Sequence, residues 1–270
     1  MALSKDGIGV ADPCAEAHEP LMQAAALLRG AQHAVALTGA GLSTHSGIPD
    51  FRSPSSGLWE RADPGEVASM MGFRRNPQKF FDWFRPLARI MIEAQPNAAH
   101  LALARLEEMG FVEALITQNI DLLHASAGSK NIYELHGHIR EATCVECFRV
   151  YPTESFIARY LEDGEVPHCP HCGGVLKPNA ILFGEQLPYH ALHAAQQAAR
   201  RCGVMLVAGS SLSVAPASDL PMIALAHGAQ LIIINYELTY LDGRATVVIH
   251  DDVAVILPCL VSLLEGNVHD

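Results

Sequence analysis

The sequence predicts an α/β fold built on a doubly wound parallel sheet, and three observations support this prediction. Short apolar runs recur along the chain and end abruptly in glycine or polar residues. Each run is nearly continuous rather than alternating, which is typical of strands that are covered on both faces. Patterns with helical period separate successive runs, so strand and helix alternate as they do around a parallel sheet.

Five apolar runs are predicted to be the strands of this sheet. In chain order they are Ala34–Thr38, Ala114–Thr117, Val204–Ala208, Leu231–Ile234 and the weaker Val247–Ile249. Helical patterns precede the first four strands, and a last helix closes the chain. The predicted helices are Leu21–Arg29, Ala98–Met109, Leu187–Arg201, Pro216–His227 and Val253–Leu264. Gly110 is a stop signal for the second helix, and Pro188 suits the first turn of the third.

Two segments interrupt this alternation and predict a smaller second domain. Residues 54–89 are rich in aromatic residues and Met and are predicted to form a loop with short helices. Residues 140–178 contain two cysteine pairs. We assign residues 20–53, 90–139 and 179–270 to the sheet domain, and we expect residues 1–19 to form a mobile tail.

The composition excludes several functional classes. The 270 residues carry a net charge of -11 and offer no basic face for the phosphates of a nucleic acid. An acidic surface instead suits a basic partner such as a lysine-rich peptide. No apolar run is long enough to span a membrane, and the acidic N-terminus has no apolar secretory core, so we expect a cytoplasmic protein. The sequence predicts no particular oligomeric state.

Two close cysteine pairs predict one structural zinc ion. The candidate ligands are Cys144, Cys147, Cys169 and Cys172. Two Cys-x-x-Cys pairs separated by 21 residues are close to the spacing of a four-cysteine zinc ribbon, and four thiolates leave no open coordination position. A ligand set that uses His168 or His171 is an alternative, as are four free thiols. The remaining Cys14, Cys202 and Cys259 are interpreted as ordinary thiols.

Glycines and small polar residues follow the predicted strands, where ligands bind to an open parallel sheet. They are Gly39-Ala40-Gly41, Gln118-Asn119-Ile120-Asp121, Gly209-Ser210-Ser211, Asn235 and Asp251-Asp252. Glycine lets a ligand approach the main chain, and small polar groups suit hydroxyls and phosphates, so the set predicts a dinucleotide site. Any one of these sites could also be an ordinary turn.

The first of these loops differs from the dehydrogenase fingerprint. Gly39-Ala40-Gly41 is followed by Gly47, which gives G-x-G-x5-G in place of G-x-G-x-x-G. No acidic residue stands at the end of a following strand, where a ribose-binding residue would normally fall. The dinucleotide is therefore expected to be held differently, and hydride transfer is not implied.

Taken together, these motifs resemble those of the sirtuin family of NAD-dependent protein-lysine deacylases. The resemblance covers about residues 24–265, and its motifs follow the family's order. They are Gly39-Ala40-Gly41-Leu42-Ser43-Thr44, Gly47-Ile48-Pro49-Asp50-Phe51-Arg52, Thr117-Gln118-Asn119-Ile120-Asp121, Glu134-Leu135-His136-Gly137, Phe183-Gly184-Glu185 and Gly209-Ser210-Ser211-Leu212 with Pro216. The resemblance implies a Rossmann-like sheet domain and a smaller domain made of the zinc ribbon and the helical insert.

The resemblance also implies roles for individual residues. The residues implied to contact NAD are Gly39, Ala40, Gly41, Asp50, Phe51, Arg52, Gln118, Asn119, Ile120, Asp121, Gly209, Ser210, Ser211, Asn235, Asp252 and Val253. Asn119, Ile120 and Asp121 among them would hold the nicotinamide amide. An acyl-lysine peptide or protein would pair as a strand with Ile181-Leu182-Phe183-Gly184, with contacts at Ile181, Phe183 and Gly184.

His136 matches the catalytic histidine of the family. A side chain with an unperturbed pKa of ~6.5 suits proton transfer near pH 7. The implied reaction yields nicotinamide, free lysine and an O-acyl-ADP-ribose. His45, His100, His124 and His138 are interpreted as histidines without a chemical role.

Family members that prefer acidic acyl chains resemble one another in a Tyr-x-x-Arg pair within the helical insert. Phe84 and Leu87 stand at those positions here, so the sequence predicts an acetyl or other apolar acyl group. The aromatic residues of this insert could equally be plain core. The sequence departs from the family at Thr44-His45 and at Gln186, and neither change removes a catalytic group. His45 is bulky for its loop and could touch the cofactor or point to solvent.

Two other functions fit the same motifs. One is an NAD-dependent mono-ADP-ribosyltransferase, in which a different nucleophile attacks the same carbon of the ribose. The other is a non-catalytic sensor of NAD or ADP-ribose. The presence of His136 and Asn119 favours the deacylase.

Overall fold

A parallel sheet forms the centre of the molecule in a computed structural model that describes Cys14 and residues 17–53, 57–60 and 62–266. The strands are β1 (Ala34–Thr38), β2 (Ala114–Thr117), β3 (Ile132–Glu134), β4 (Gly137–Cys144), β5 (Val150–Pro152), β6 (Leu176–Ala180), β7 (Val204–Ala208), β8 (Gln230–Ile234) and β9 (Val247–Ile249). Within these residues the main sheet has six strands in the order β3-β2-β1-β7-β8-β9. All neighbouring strands in it are parallel, which confirms the predicted fold class.

Helices cover both faces of this sheet. The helices are α1 (His18–Gly30), α2 (Pro64–Val67), α3 (Met70–Arg75), α4 (Pro77–Glu93), α5 (Ala98–Glu108), α6 (Leu123–Ser126), α7 (Ile157–Asp163), α8 (Tyr189–Arg201), α9 (Leu220–Ala226) and α10 (Val253–Glu265). Helices α1, α5 and α10 pack on one face, and α8 and α9 pack on the other. In the part of the chain that the structure describes, no helix is long and apolar enough to cross a bilayer.

The continuous apolar runs follow from this two-sided burial. Ala34 and Ala36 of β1 belong to the core on the α1 side, whereas Val35 and Leu37 belong to the core on the α8 side. Because successive side chains of a strand point to opposite faces, a strand buried on both sides must be apolar at every position.

Some element boundaries differ from those predicted. The edge strand β3 was not predicted, because its three residues are only half-buried and give no continuous apolar run. The predicted helix Pro216–His227 is a 3₁₀ turn at Ala217–Asp219 followed by α9, whose first turn contains Pro221. Pro188 is the N-cap of α8 and not part of its first turn.

A smaller antiparallel sheet, in the order β5-β4-β6, lies with α2 to α4 and α7 outside the main sheet. Aromatic side chains of the helical insert form its core: Phe80 contacts Phe73 and Phe81 with ring centroids 5.2 and 5.1 Å apart. The prediction that these aromatic residues could be core is therefore confirmed. The exact domain boundaries given above remain a prediction.

Two of the cysteines outside the zinc cluster are joined by a disulfide. Cys14 and Cys259 form a disulfide, so their interpretation as ordinary thiols was wrong. Their Cα atoms lie 5.7 Å apart although 245 positions separate them, and a pair so distant in sequence gives no local signal. Cys202 is a buried free thiol, as predicted. Most of the predicted tail, residues 1–19, lies outside the described residues, but α1 already begins at His18.

Candidate active site

A cleft of about 580 Å³ lies at the carboxyl ends of the parallel strands and extends to the smaller domain. Every residue that the sequence analysis assigned to the cofactor, the substrate or catalysis lines it. From the strand ends these are Gly39, Ala40, Gly41, Asp50, Phe51, Arg52, Gln118, Asn119, Ile120, Asp121, His136, Gly209, Ser210, Ser211, Asn235, Asp252 and Val253, and from the substrate segment Ile181, Phe183 and Gly184. The size suits a ligand that is largely enclosed.

Two glycine loops meet at the middle of the cleft. The N–H of Gly41 donates to the carbonyl oxygen of Gly209 at 3.0 Å. A Cβ on Gly41 would stand 2.9 Å from that oxygen, and one on Gly209, whose φ is +60°, would stand 2.4 Å from the nitrogen of Leu42. Only glycine allows this contact, which brings bare main chain to the cleft surface, where a diphosphate could approach.

An amide and a carboxylate are held together beside these loops. Asn119 Nδ2 donates to the carbonyl oxygen of Gly39 and to Ser43 Oγ, both at 3.1 Å. Ser43 Oγ donates to Asp121 Oδ2 at 2.6 Å. These bonds fix the orientation of the Asn119 amide. Ser43 was not assigned a role from the sequence, although it stands inside the first loop motif and its position could have suggested one.

Burial raises the pKa of the Asp121 carboxyl, although hydrogen bonds from Ser43 and from the N–H of Leu123 oppose the shift. Two buried imidazoles lie behind this cluster, His100 and His124, with ring centroids 4.9 Å apart. Burial lowers the pKa of His100 to about 4 and that of His124 to about 3, so both are neutral near pH 7. Neither lines the cleft.

His136 stands at the junction of β3 and β4 and faces the cleft. Its Nδ1 lies 3.0 Å from the carbonyl oxygen of Gln118, so Nδ1 carries a hydrogen and Nε2 of the neutral ring is left as a base. Burial lowers the pKa of His136, and the bond to Gln118 only partly opposes this. The main chain is fixed as well, because the N–H of Ile181 donates to the carbonyl oxygen of His136 at 2.8 Å.

Gly137, the next residue, makes this placement of His136 possible. Its φ is +71°, and a Cβ there would stand 1.9 Å from the carbonyl oxygen of Asn179 on β6. We expect Gly137→Ala to displace His136 and to lower kcat/KM for an acyl-lysine peptide, the substrate that the sirtuin resemblance implies, by at least about tenfold. Steady-state kinetics with that peptide and NAD measure the effect.

Gly228→Ala is the matched control for this variant. Gly228 has a φ of +89° but open space around it, far from the cleft at the start of β8. It therefore carries the same backbone penalty without the collision. Equal losses of activity in the two variants would contradict the proposed fit of Gly137 against β6.

The far end of the cleft is formed by the ends of β8 and β9. Asn235 Nδ2 donates to the carbonyl oxygen of Glu237 at 2.7 Å. Asp252 caps α10, since its Oδ1 accepts from the N–H of Ala254 at 2.8 Å. The other oxygen, Oδ2, lies 2.6 Å from His45 Nε2. His45, predicted to have no chemical role, therefore contacts a cleft residue without lining the cleft itself.

The substrate segment lies where β6 ends. The N–H of Phe183 donates to the carbonyl oxygen of Ala68 at 2.8 Å, and its own carbonyl oxygen accepts from the N–H of Met70 at 2.9 Å. On the opposite edge, the N–H of Leu182 donates to Glu185 Oε2 at 2.8 Å and its carbonyl oxygen accepts from the N–H of Glu185 at 3.0 Å. Lys177 Nζ lies 3.0 Å from Glu185 Oε2, a largely buried ion pair that anchors the segment to β6.

The wall of the cleft formed by α4 is apolar. Phe84 and Leu87 both line it, together with Trp59 and Trp83, whose rings stack 5.7 Å apart. The residues of α4 that line the cleft are Phe80, Trp83, Phe84, Leu87 and Met91, and none of them carries a charge.

The four cysteines of the two pairs come together in the smaller domain, with their Sγ atoms all within 4.8 Å of one another. Cys144 and Cys172 are 3.5 Å apart, and Cys147 and Cys169 are 3.6 Å apart. These separations fit the edge of a tetrahedron around zinc, roughly 3.8 Å for Zn–S bonds of about 2.3 Å. No histidine belongs to this cluster within the described residues, so the ligand sets with His168 or His171 find no support.

An open parallel sheet with a glycine- and amide-lined cleft, joined to a four-cysteine module, defines the class as a nucleotide-binding α/β protein with a structural metal site. The model of the Sir2 family matches residues 39–216. The chain belongs to the Sir2 family.

Relatives support this assignment over most of the chain. An NAD-dependent protein deacetylase of Caldivirga maquilingensis is 45% identical over 90% of this chain and 93% of that protein. The structure of a Sir2 variant with deacetylated p53 peptide and 3'-O-acetyl ADP ribose has a TM-score of 0.86 at 40% identity, covering 90% of this chain and 98% of that one. A Sir2 structure bound to a propionylated peptide has a TM-score of 0.82 at 40% identity, covering 92% and 99%.

Proposed function

We propose that this protein removes acetyl and other apolar acyl groups from lysine side chains of proteins and consumes NAD as it does so. The products are nicotinamide, the free lysine and an O-acyl-ADP-ribose. One observation carries the proposal: a single cleft unites a half-buried, neutral His136 with the fixed pair of Asn119 and Asp121.

The pair of Asn119 and Asp121 binds the nicotinamide end of NAD. Nicotinamide is a poor leaving group unless its amide is held and turned. Asn119 Nδ2 already donates to Ser43 Oγ and to the carbonyl oxygen of Gly39. The side chain of Asn119 therefore presents Oδ1 as an acceptor for the N–H of the nicotinamide carboxamide. Because Asp121 is buried and already hydrogen-bonded, it needs little rearrangement when the ligand enters.

His136 acts as the general base. The carbonyl oxygen of the acyl-lysine attacks the ribose carbon that releases nicotinamide, and Nε2 of His136 then accepts a proton from a ribose hydroxyl. The oxygen of that hydroxyl attacks the acyl carbon, and addition of one water with departure of the lysine amine leaves the acyl group on the ribose. The Gln118 carbonyl holds the ring in the tautomer that leaves Nε2 unprotonated. Burial helps, because it keeps the ring neutral near pH 7.

The apolar wall of α4 accepts the acyl chain. We expect kcat/KM for an acetyl-lysine peptide to exceed that for the succinyl-lysine peptide by at least about tenfold, because burying an unpaired carboxylate is unfavourable. Leu87→Arg should narrow this ratio by supplying a cation, whereas the isosteric Leu87→Met should not. Parallel kinetics with the two peptides measure the ratio, and an unchanged ratio in Leu87→Arg would contradict this account of the wall.

The proposed reaction is tested by its product balance. The protein is incubated with NAD and an acetyl-lysine peptide, and nicotinamide and free lysine are measured together. Equal release of the two products is the expected result. Release of nicotinamide with ADP-ribose added to a protein would favour the mono-ADP-ribosyltransferase, and binding of NAD without turnover would favour the sensor.

The proposal also covers the metal ion, the binding partners and the location of the protein. One zinc ion, held by the four cysteines, stabilises the smaller domain and takes no part in the chemistry. The acidic net charge of -11 supports partners that are lysine-bearing proteins rather than nucleic acids. A cytoplasmic location, without membrane attachment, and the domain boundaries given under Sequence analysis belong to the same proposal.

A further inference from the structure

His45 and Asp252 form a contact that the proposed reaction does not use. His45 Nε2 lies 2.6 Å from Asp252 Oδ2. A carboxylate oxygen only accepts, so Nε2 carries the hydrogen, and the bond forms whether or not the imidazole is charged. The His45 side chain is 49% exposed and that of Asp252 is 12% exposed, so the carboxylate is the buried partner.

This contact joins two elements across the end of the cleft. His45 belongs to the 3₁₀ turn Ala40–Ser46, which also carries Gly41 of the glycine contact. Asp252 is the N-cap of α10 and lines the cleft. Both oxygens of its carboxylate are thereby engaged, one with the helix and one with His45.

The surroundings of Asp252 are acidic and polar. The side chain of Asp251 accepts the N–H of Asp252 at 2.7 Å, and Tyr236 and Glu237 line the same end of the cleft. The diphosphate of a dinucleotide adds further negative charge. Without His45 this nearly buried carboxylate would keep the N–H of Ala254 on Oδ1 and the Tyr236 hydroxyl as partners, but Oδ2 would lose its 2.6 Å donor, so the carboxylate would be less well solvated and would repel the diphosphate more strongly. The hydrogen bond from His45 offsets both effects.

We propose that His45 is a positioning residue for NAD, which acts through Asp252 and ties the glycine loop to α10 at the adenosine end of the cleft. The proposal rests on the proposed function in naming NAD as the ligand. Its test uses ADP-ribose, which contains the adenosine and diphosphate parts and requires no turnover.

Binding of ADP-ribose by calorimetry, together with steady-state kinetics, tests this role. In His45→Ala we expect the Kd for ADP-ribose and the KM for NAD to rise by about three- to tenfold, the usual effect of losing one charge-assisted hydrogen bond. The kcat and the KM for the acyl peptide should stay near wild type. His45→Gln, whose amide N–H can reach the same oxygen, should restore most of the affinity.

His33→Ala is the matched control. His33 is also 49% exposed and lies 2.8 Å from a carboxylate, Glu113, but it stands at the amino end of β1, away from the cleft. Its removal should change none of these constants. Asp252→Asn keeps a helix cap, and adding His45→Ala to it should cause little further loss, since His45 acts through the carboxylate.

Two outcomes would overturn the proposal. One is wild-type affinity for ADP-ribose in His45→Ala. The other is a fall in kcat or a rise in the peptide KM as large as the change in the KM for NAD, which would indicate a general structural effect. A protein that binds ADP-ribose but never releases lysine would refute the proposed function alone.

Discussion

His136→Ala is expected to lower kcat/KM for an acetyl-lysine peptide by about 10²- to 10⁴-fold, the usual contribution of a general base. The variant loses the Nε2 atom that accepts the ribose proton, while the strand-end loops that bind NAD remain. The KM for NAD should therefore change little. Steady-state measurement of free lysine and nicotinamide, with ADP-ribose binding as a check of the fold, gives the result.

His138→Ala serves as the control for this variant. His138 lies two residues further along, on β4, and does not line the cleft. Its activity should stay close to that of the wild type. If His136→Ala kept most of its activity, or if His138→Ala lost as much, His136 would not be the base.

The fall of kcat/KM at acidic pH should reflect the titration of His136 as well. Burial lowers the pKa of His136 below its ordinary value of 6.5. The base must be neutral, so activity is retained at neutral pH and is lost as the pH falls through the folded-state pKa, which lies below 6.5. An acid midpoint of kcat/KM above 6.5 would contradict this assignment.

Loss of the metal ligands is expected to have the second large effect. Cys144→Ser should abolish tight zinc binding and unfold the smaller domain, because a structural zinc site contributes about 10–16 kcal/mol of apparent folding free energy in small zinc-binding peptides. Deacylation should be lost with it. Metal analysis of the purified protein and thermal unfolding measure the two effects.

Cys202→Ala is the matched control for the metal site. Cys202 is a buried free thiol in the core of the sheet domain and lies outside the cysteine cluster. This variant should keep one zinc ion per chain and its activity, with at most a modest loss of stability. A Cys144→Ser protein with wild-type unfolding temperature and activity would show that the metal is dispensable.

Much of the sheet domain could be predicted because strands buried on both faces leave an unmistakable pattern. Every side chain of β1 and β7 is buried, and both strands were predicted with their exact ends. The edge strand β3 has one neighbour and half-buried side chains, so no apolar run marks it. The disulfide between Cys14 and Cys259 depends on how α1 packs against α10, which only the folded chain brings about.

The residues predicted for the candidate site stand directly after strands or in loops that carry the family motifs, and they all line one cleft. The contacts between them could not be predicted. Nothing in the sequence indicates that Ser43 joins Asn119 to Asp121, or that His45 reaches Asp252. Such contacts depend on the crossing of separate loops, and local patterns carry no information about them.

The pairing of β4 with β6 has a consequence for metal supply. One end of this strand pair holds the cysteine cluster through Cys144, and His136 and Ile181 adjoin the other end. Linkage between two sites is reciprocal, so a substrate whose binding stabilises this strand pair at the cleft would raise the zinc affinity at its far end by the same factor as zinc raises the affinity for that substrate.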